Sequence, residues 1–127
     1  MISKILLAVA AIIEGVTGIT LIITPALFVR LLFAAELSAA GLALGRVAGF
    51  GLLSLGIACW PSPAPTRAAL RGLLIYNLVA AAYLAYMWFG GELIGRLLLP
   101  AIAIHAMLTL LLTRAWFKYQ SAEARKP

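Results

Sequence analysis

Few side chains in this 127-residue chain can do acid–base or ligand chemistry, and they are unevenly placed. There is one histidine, His105, one cysteine, Cys59, no aspartate, and four glutamates, Glu14, Glu36, Glu92 and Glu123. Glu14 stands in IIEGVTG, Asn77 in LIYNLVA and His105 in AIAIHAM, each inside a long apolar run. Tyr76 adjoins Asn77, and Thr17 lies about one helical turn after Glu14. An acidic side chain at the centre of a membrane span costs about 2.5–3.5 kcal/mol on insertion scales, so it must be protonated, paired or wet. His105 is the side chain at the depth of Glu14 that can carry a compensating charge. If the three face inward, they can form a Glu–His or Glu–Asn hydrogen-bonded cluster, with Thr17, Ser54, Tyr76 and Thr109 near in depth. Two readings follow: a proton-titrating or ligand-binding centre, or interhelical polar glue worth about 0.6 kcal/mol per contact.

Whether these residues do share a depth depends on the elements that carry them. The chain is 65% hydrophobic and 11% charged, with a mean hydropathy of +1.09. Ordinary soluble domains are about 45–50% apolar and about 25% charged. Too few polar side chains remain to coat a soluble globule, which excludes a soluble enzyme, a disordered tail and a disulfide scaffold. The composition predicts an all-α integral membrane protein, a single transmembrane domain over 1–127.

A spanning helix needs about 20 apolar residues, and four such segments fit, at about 5–23, 39–60, 67–89 and 93–117. The punctuation agrees. Thr24-Pro25 stops the first span, the Pro-rich stretch 61–65 is a rigid extended turn, and Gly90-Gly91 separates the last two spans. Ser38 and Thr66 are placed as N-caps. The segment 25–33, PALFVRLLF, is too short to cross; it is either an interfacial helix with Phe28 and Phe33 in the headgroup boundary or a continuation of the first helix past a Pro25 kink. The midpoints of the first, third and fourth spans fall at 14, 78 and 105, so Glu14, Asn77 and His105 lie within a turn of one plane. Pro100 removes a hydrogen bond to the Arg96 carbonyl, which predicts a kink beside His105.

The second span carries Gly41, Gly45 and Gly49 at four-residue spacing and Gly56 seven further on. Such a stripe lets another backbone approach closely, within the bundle or in a homo-oligomer. Lys4, Arg67, Arg71, Arg114, Lys118, Arg125 and Lys126 fall on one side, and Arg30, Arg46 and Arg96 on the other. The excess predicts both termini in the cytoplasm of a bacterial inner-membrane protein. The start MISKILLAVAA has the look of a signal peptide, against which the apolar run continues to Ile23. The net charge of +6 reads as topology and anionic-lipid attraction, not nucleic-acid binding, because the basic residues sit at helix ends. Arg46 either snorkels to the headgroups or pairs with Glu36 or a partner's acid. Glu92 and Arg96 form an i,i+4 pair on the first turn of the fourth span. Trp60, Trp88, Trp116 and Tyr119 make an aromatic belt, and Cys59 packs as a small hydrophobe.

One histidine excludes a bis-histidine haem, and a metal cage wants three or four ligands where Glu14 and His105 have only Cys59 beside them, at another depth. No phosphate loop, nucleophile elbow or Ser-His-Asp triad is present. The segments 36–60 (ELSAAGLALGRVAGFGLLSLGIACW), 74–86 (LIYNLVAAAYLAY) and 97–106 (LLLPAIAIHA) resemble small bacterial four-span proteins that are loosely DoxX-like. The resemblance implies a membrane bundle associated with redox-linked complexes, and implies no catalytic residue. Three roles are open: an accessory subunit or homo-oligomer using the glycine stripe; a proton-linked transporter or channel using Glu14 and His105; or a redox helper binding lipid or quinone near Tyr76, Asn77 and His105. The first is the leading expectation, and the pattern points away from an enzyme.

Overall fold

The computed structural model describes residues 2–61, 67–91 and 93–124, and among these every regular element is helical. The order is α1 (Ile2–Ile23), α2 (Pro25–Phe33), α3 (Ala39–Ala58), α4 (Arg67–Gly90) and α5 (Leu98–Glu123). Four of them, α1, α3, α4 and α5, are long and apolar enough to cross a membrane, so the four-span bundle expected of the composition is the architecture found.

The breaks follow backbone chemistry. Thr24 leaves helical geometry (φ −131°, ψ 58°) and Pro25 takes the first position of α2, where its missing N–H leaves no ladder bond unmade. Thus 25–33 is a separate short helix. It ends on Ala34 in the left-handed region (φ 54°), whose N–H donates to the Arg30 carbonyl. Ser38 caps α3, its Oγ accepting from the Gly41 N–H at 3.1 Å; Thr66 lies outside the described residues. Gly91, at φ +74°, supplies the left-handed turn that closes α4.

The last span begins later than expected, at Leu98 and not at 93. The reason is a tertiary pairing that helix periodicity cannot show. The Gly95 N–H donates to the Leu32 carbonyl at 3.1 Å and the Leu97 N–H to the Leu31 carbonyl at 2.9 Å. Those carbonyls belong to the last turn of α2, which has no intrahelical donors for them. Gly95 is obligatory there, because a Cβ would overlap the Leu31 carbonyl oxygen and lie 2.5 Å from the Leu32 carbonyl carbon. The late start also corrects two expectations. Pro100 falls in the first turn of α5, and the first ladder bond runs from the Ala101 N–H to the Leu97 carbonyl. Pro100 thus removes no bond and kinks nothing. Arg96 precedes the helix, and Glu92 lies outside the described residues.

The helices pack as two antiparallel pairs, α1 with α3 and α4 with α5, with thinner contact between the pairs. The α1–α3 seam is glycine on glycine. A Cβ on Gly49 would stand 2.7 Å from the Gly18 carbonyl oxygen, and one on Gly56 2.7 Å from that of Ala11. Gly45 abuts Pro25, and Gly41 abuts Leu37. The stripe on α3 is therefore taken up inside the chain. The complementary small residues on α1 (Ala11, Gly15, Gly18) went unweighed in the sequence, although Ala11 and Gly15 repeat at the four-residue spacing that marks such seams.

Two apolar cores close the ends of the bundle. One gathers Leu7, Ala10, Cys59, Leu70, Leu73, Leu108 and Leu112, with Trp116 and Tyr119 against it. The other holds Leu32, Leu84 and Leu98, with Phe28, Phe33 and Trp88 packed on them. Phe28 and Phe33 thus pack, partly buried, against the core, with α2 held across the start of α5. Cys59 is buried, as its apolar setting implied. On the surface, Arg30 pairs with Glu36 at 3.5 Å, which takes Glu36 from Arg46; Arg46 is exposed.

Candidate functional site

Between the two cores lies one polar layer, positioned by helical spacing. On α1 the inward stripe runs Leu7, Ala11, Glu14, Gly18, Leu21, all buried. On α4 it runs Leu70, Leu73, Asn77, Leu84. On α5, Leu98, Leu108 and Leu112 are buried, and His105 falls on the same stripe at helical intervals. Each polar residue therefore replaces one leucine-like position in an otherwise apolar seam.

The structure joins two of the three directly. The His105 ring meets Asn77 through Nδ1 and Oδ1 at 2.8 Å, and the Asn77 Nδ2 donates to the Leu73 carbonyl at 2.9 Å. The Tyr76 ring stands edge-on to His105, with centroids 5.9 Å apart and planes at 77°. The Thr109 hydroxyl donates to the His105 carbonyl at 2.8 Å. Glu14 is 0% exposed, yet among the described residues neither carboxyl oxygen meets a partner at full hydrogen-bond geometry; Asn77 and Tyr76 are the polar side chains that approach it. The direct Glu–His contact is absent, since Asn77 holds the His105 ring. Ser54, grouped with the cluster by depth, points away: it is exposed and donates to the Phe50 carbonyl.

Beside this layer, between the helix pairs, is a cavity of about 590 Å³. That falls within the range of small-molecule pockets, about 300–1,000 Å³. Thr17, Tyr76 and His105 line one part of it; Ala48 and Leu52 of α3, Val79 and Tyr83 of α4, and Phe28 and Phe33 of α2 supply apolar and aromatic walls. Val79 and Tyr83 are themselves exposed, so the cavity opens sideways, toward the lipid when the helices span a bilayer. Glu14 lies behind it and does not line it.

Sequence reasoning missed one feature of this wall. Thr20, Thr24, Ser54, Thr109, Thr113 and Ser121 each donate to the carbonyl four residues back, the usual way a helical hydroxyl satisfies itself. Thr17, alone among the described threonines, makes no such bond and lines the cavity instead. Nothing in the spacing of threonines distinguishes it. Among the described residues no three His, Cys, Asp or Glu side chains gather, so the donor set offers hydrogen bonds and not a metal cage. Comparisons of the chain with protein-family models, with curated proteins and with solved structures gave no match.

Proposed function

We propose that this multi-pass membrane protein binds a lipid-soluble small molecule in the cavity between its two helix pairs. The observation that carries the reading is the composition of the cavity wall: apolar and aromatic surface, with His105, Thr17, Tyr76 and Tyr83 as the side chains that bring polar atoms. Concave, largely apolar pockets with a few placed polar groups are what ligand sites look like, and a side opening admits a ligand from the bilayer. The reading is favoured over an interaction subunit or homo-oligomer because the glycine stripe that motivated those roles packs within the chain. It is favoured over proton transport because Glu14 has no ion-pair partner and does not line the cavity. A place beside a redox-linked complex, implied by the DoxX-like resemblance, is compatible with such a ligand, lipid or quinone. The excess of Lys and Arg on the side of the termini supports an inner-membrane protein with both ends in the cytoplasm.

The test fills the cavity from two helices separately, with Ala80→Phe and Ala101→Trp. Wild-type protein is expected to retain an apolar small molecule through purification, seen by native mass spectrometry, and to incorporate a membrane-soluble photoreactive alkyl probe at residues of the cavity wall. Both variants are expected to lose both signals while keeping their helical content. Equal labelling of folded variants and wild type would refute the proposal.

A further inference from the structure

The hydrogen bonds around His105 specify more than a polar spot. The Asn77 amide donates through Nδ2 to the Leu73 carbonyl, which turns its Oδ1 toward His105. A carbonyl oxygen accepts only, so the His105 Nδ1 must be the donor and carry the hydrogen. In the neutral imidazole the other nitrogen, Nε2, then has a lone pair and no hydrogen. The one ring nitrogen left for the cavity is therefore an acceptor. Among the described residues no Lys or Arg lines the cavity, so none of them compensates an anionic headgroup there. Thr17, which makes no hydrogen bond among the described residues and lines the cavity, supplies a hydroxyl that can give or take a hydrogen bond nearby.

From this we infer that the site selects a neutral, membrane-soluble molecule bearing a hydroxyl group, a phenol or long-chain alcohol, whose O–H donates to the His105 Nε2. The inference rests on the ligand-binding reading of the cavity and narrows it. A ketone, ether or quinone carbonyl presents only acceptors to an acceptor nitrogen. It would leave that nitrogen buried and unpaired, which is how a polar site rejects an analogue. The orientation is locked from behind, because turning the ring over would set the Cδ2–H in place of Nδ1 and lose the hydrogen bond to the Asn77 oxygen, and the other tautomer would set an unprotonated Nδ1 against it. Asn77 is thus the positioning residue and His105 the one that touches the ligand.

The experiment uses the intact protein in lipid nanodiscs. His105 is the one histidine in the chain, so ¹⁵N-histidine labelling reports its two ring nitrogens with no other signal. The probes are 4-octylphenol and its methyl ether, 4-octylanisole, which share the ring and tail and differ in the O–H. The expected spectrum shows a protonated Nδ1 and a bare Nε2, with the Nε2 resonance moving on addition of the phenol and not of the ether. Affinity for the phenol, measured by equilibrium dialysis of the nanodiscs, is expected to exceed that for the ether about tenfold, as one hydrogen bond in a water-poor site allows. In His105→Phe the two probes are expected to bind alike; in Asn77→Leu the single tautomer is expected to give way to a mixture. A protonated Nε2, or equal affinity of the two probes for wild type, overturns the inference and leaves the cavity reading standing. Failure of both probes to bind wild-type protein overturns the two together.

Discussion

Alanine at Gly49 is a one-carbon test of how α1 and α3 are held. A Cβ there would lie 2.7 Å from the Gly18 carbonyl oxygen, 2.9 Å from the Ile22 Cγ1 and 3.0 Å from the Ile22 nitrogen, against ordinary contacts that start at 3.4 Å. The obstacles include backbone atoms of α1, which no rotamer change can move, so the helices must part by about 0.7 Å along the seam. Overpacking of this kind costs about 1–3 kcal/mol, and Gly18, Gly56 and Ala11 lose their close contacts with it. The control is Gly51→Ala on the same helix, where a Cβ meets nothing within 4 Å. There the change is expected to be neutral or stabilising by up to about 1 kcal/mol, since alanine loses less backbone entropy in a helix. Both are read by reversible unfolding in mixed micelles, following helical circular dichroism across a detergent titration, with the oligomeric state measured alongside. Should Gly49→Ala match wild type in unfolding while changing only self-association, the seam inside the chain is wrong and the stripe belongs to an intermolecular contact.

Other expectations follow from the same geometry. Gly95→Ala drives a Cβ into the Leu31 carbonyl and should cost about 1–3 kcal/mol, with faster hydrogen exchange at the Gly95 and Leu97 amides as its signature. Pro100→Ala should leave the unfolding midpoint nearly unmoved, because no ladder donor is restored that the first turn could use; a gain above about 1 kcal/mol would show that the helix starts earlier. Asn77→Leu should destabilise by about 1–3 kcal/mol, through loss of two hydrogen bonds and an orphaned His105 nitrogen. Glu14→Leu should cost less than that or even stabilise, because the carboxyl it removes is buried without a partner; the reverse order in the same unfolding assay would contradict the assigned bonding.

Much of this layout was legible in the sequence because a helix rises by a fixed step per residue. Counting from the ends of apolar runs set Glu14, Asn77 and His105 at one depth, and the structure puts them in one layer between two leucine-rich cores. Depth is not azimuth, however. The same count grouped Ser54 with them, while the roll of α3, fixed by its glycines against Gly18 and Ala11, turns that serine outward. The kink at Pro100 was misread for a different reason. Where α5 begins is decided by the carbonyls of Leu31 and Leu32, more than sixty residues earlier, and hydropathy cannot see a donor–acceptor match at that range. The direction of the Asn77–His105 bond, and with it the His105 tautomer, rests on one further acceptor, the Leu73 carbonyl.

The strap between α2 and the segment before α5 has a consequence for the order in which the chain matures. By the time Ala58 has left the ribosome, α1 and α3 hold everything needed for their glycine seam, and that hairpin can settle alone. The two carbonyls at the end of α2 cannot be satisfied until Gly95 and Leu97 have been synthesised. Until then the end of the short helix lacks the two donors that the folded chain gives it. Arrival of the last span pairs those carbonyls and completes the cavity wall in the same event, so the cavity takes shape only when the last span is in place.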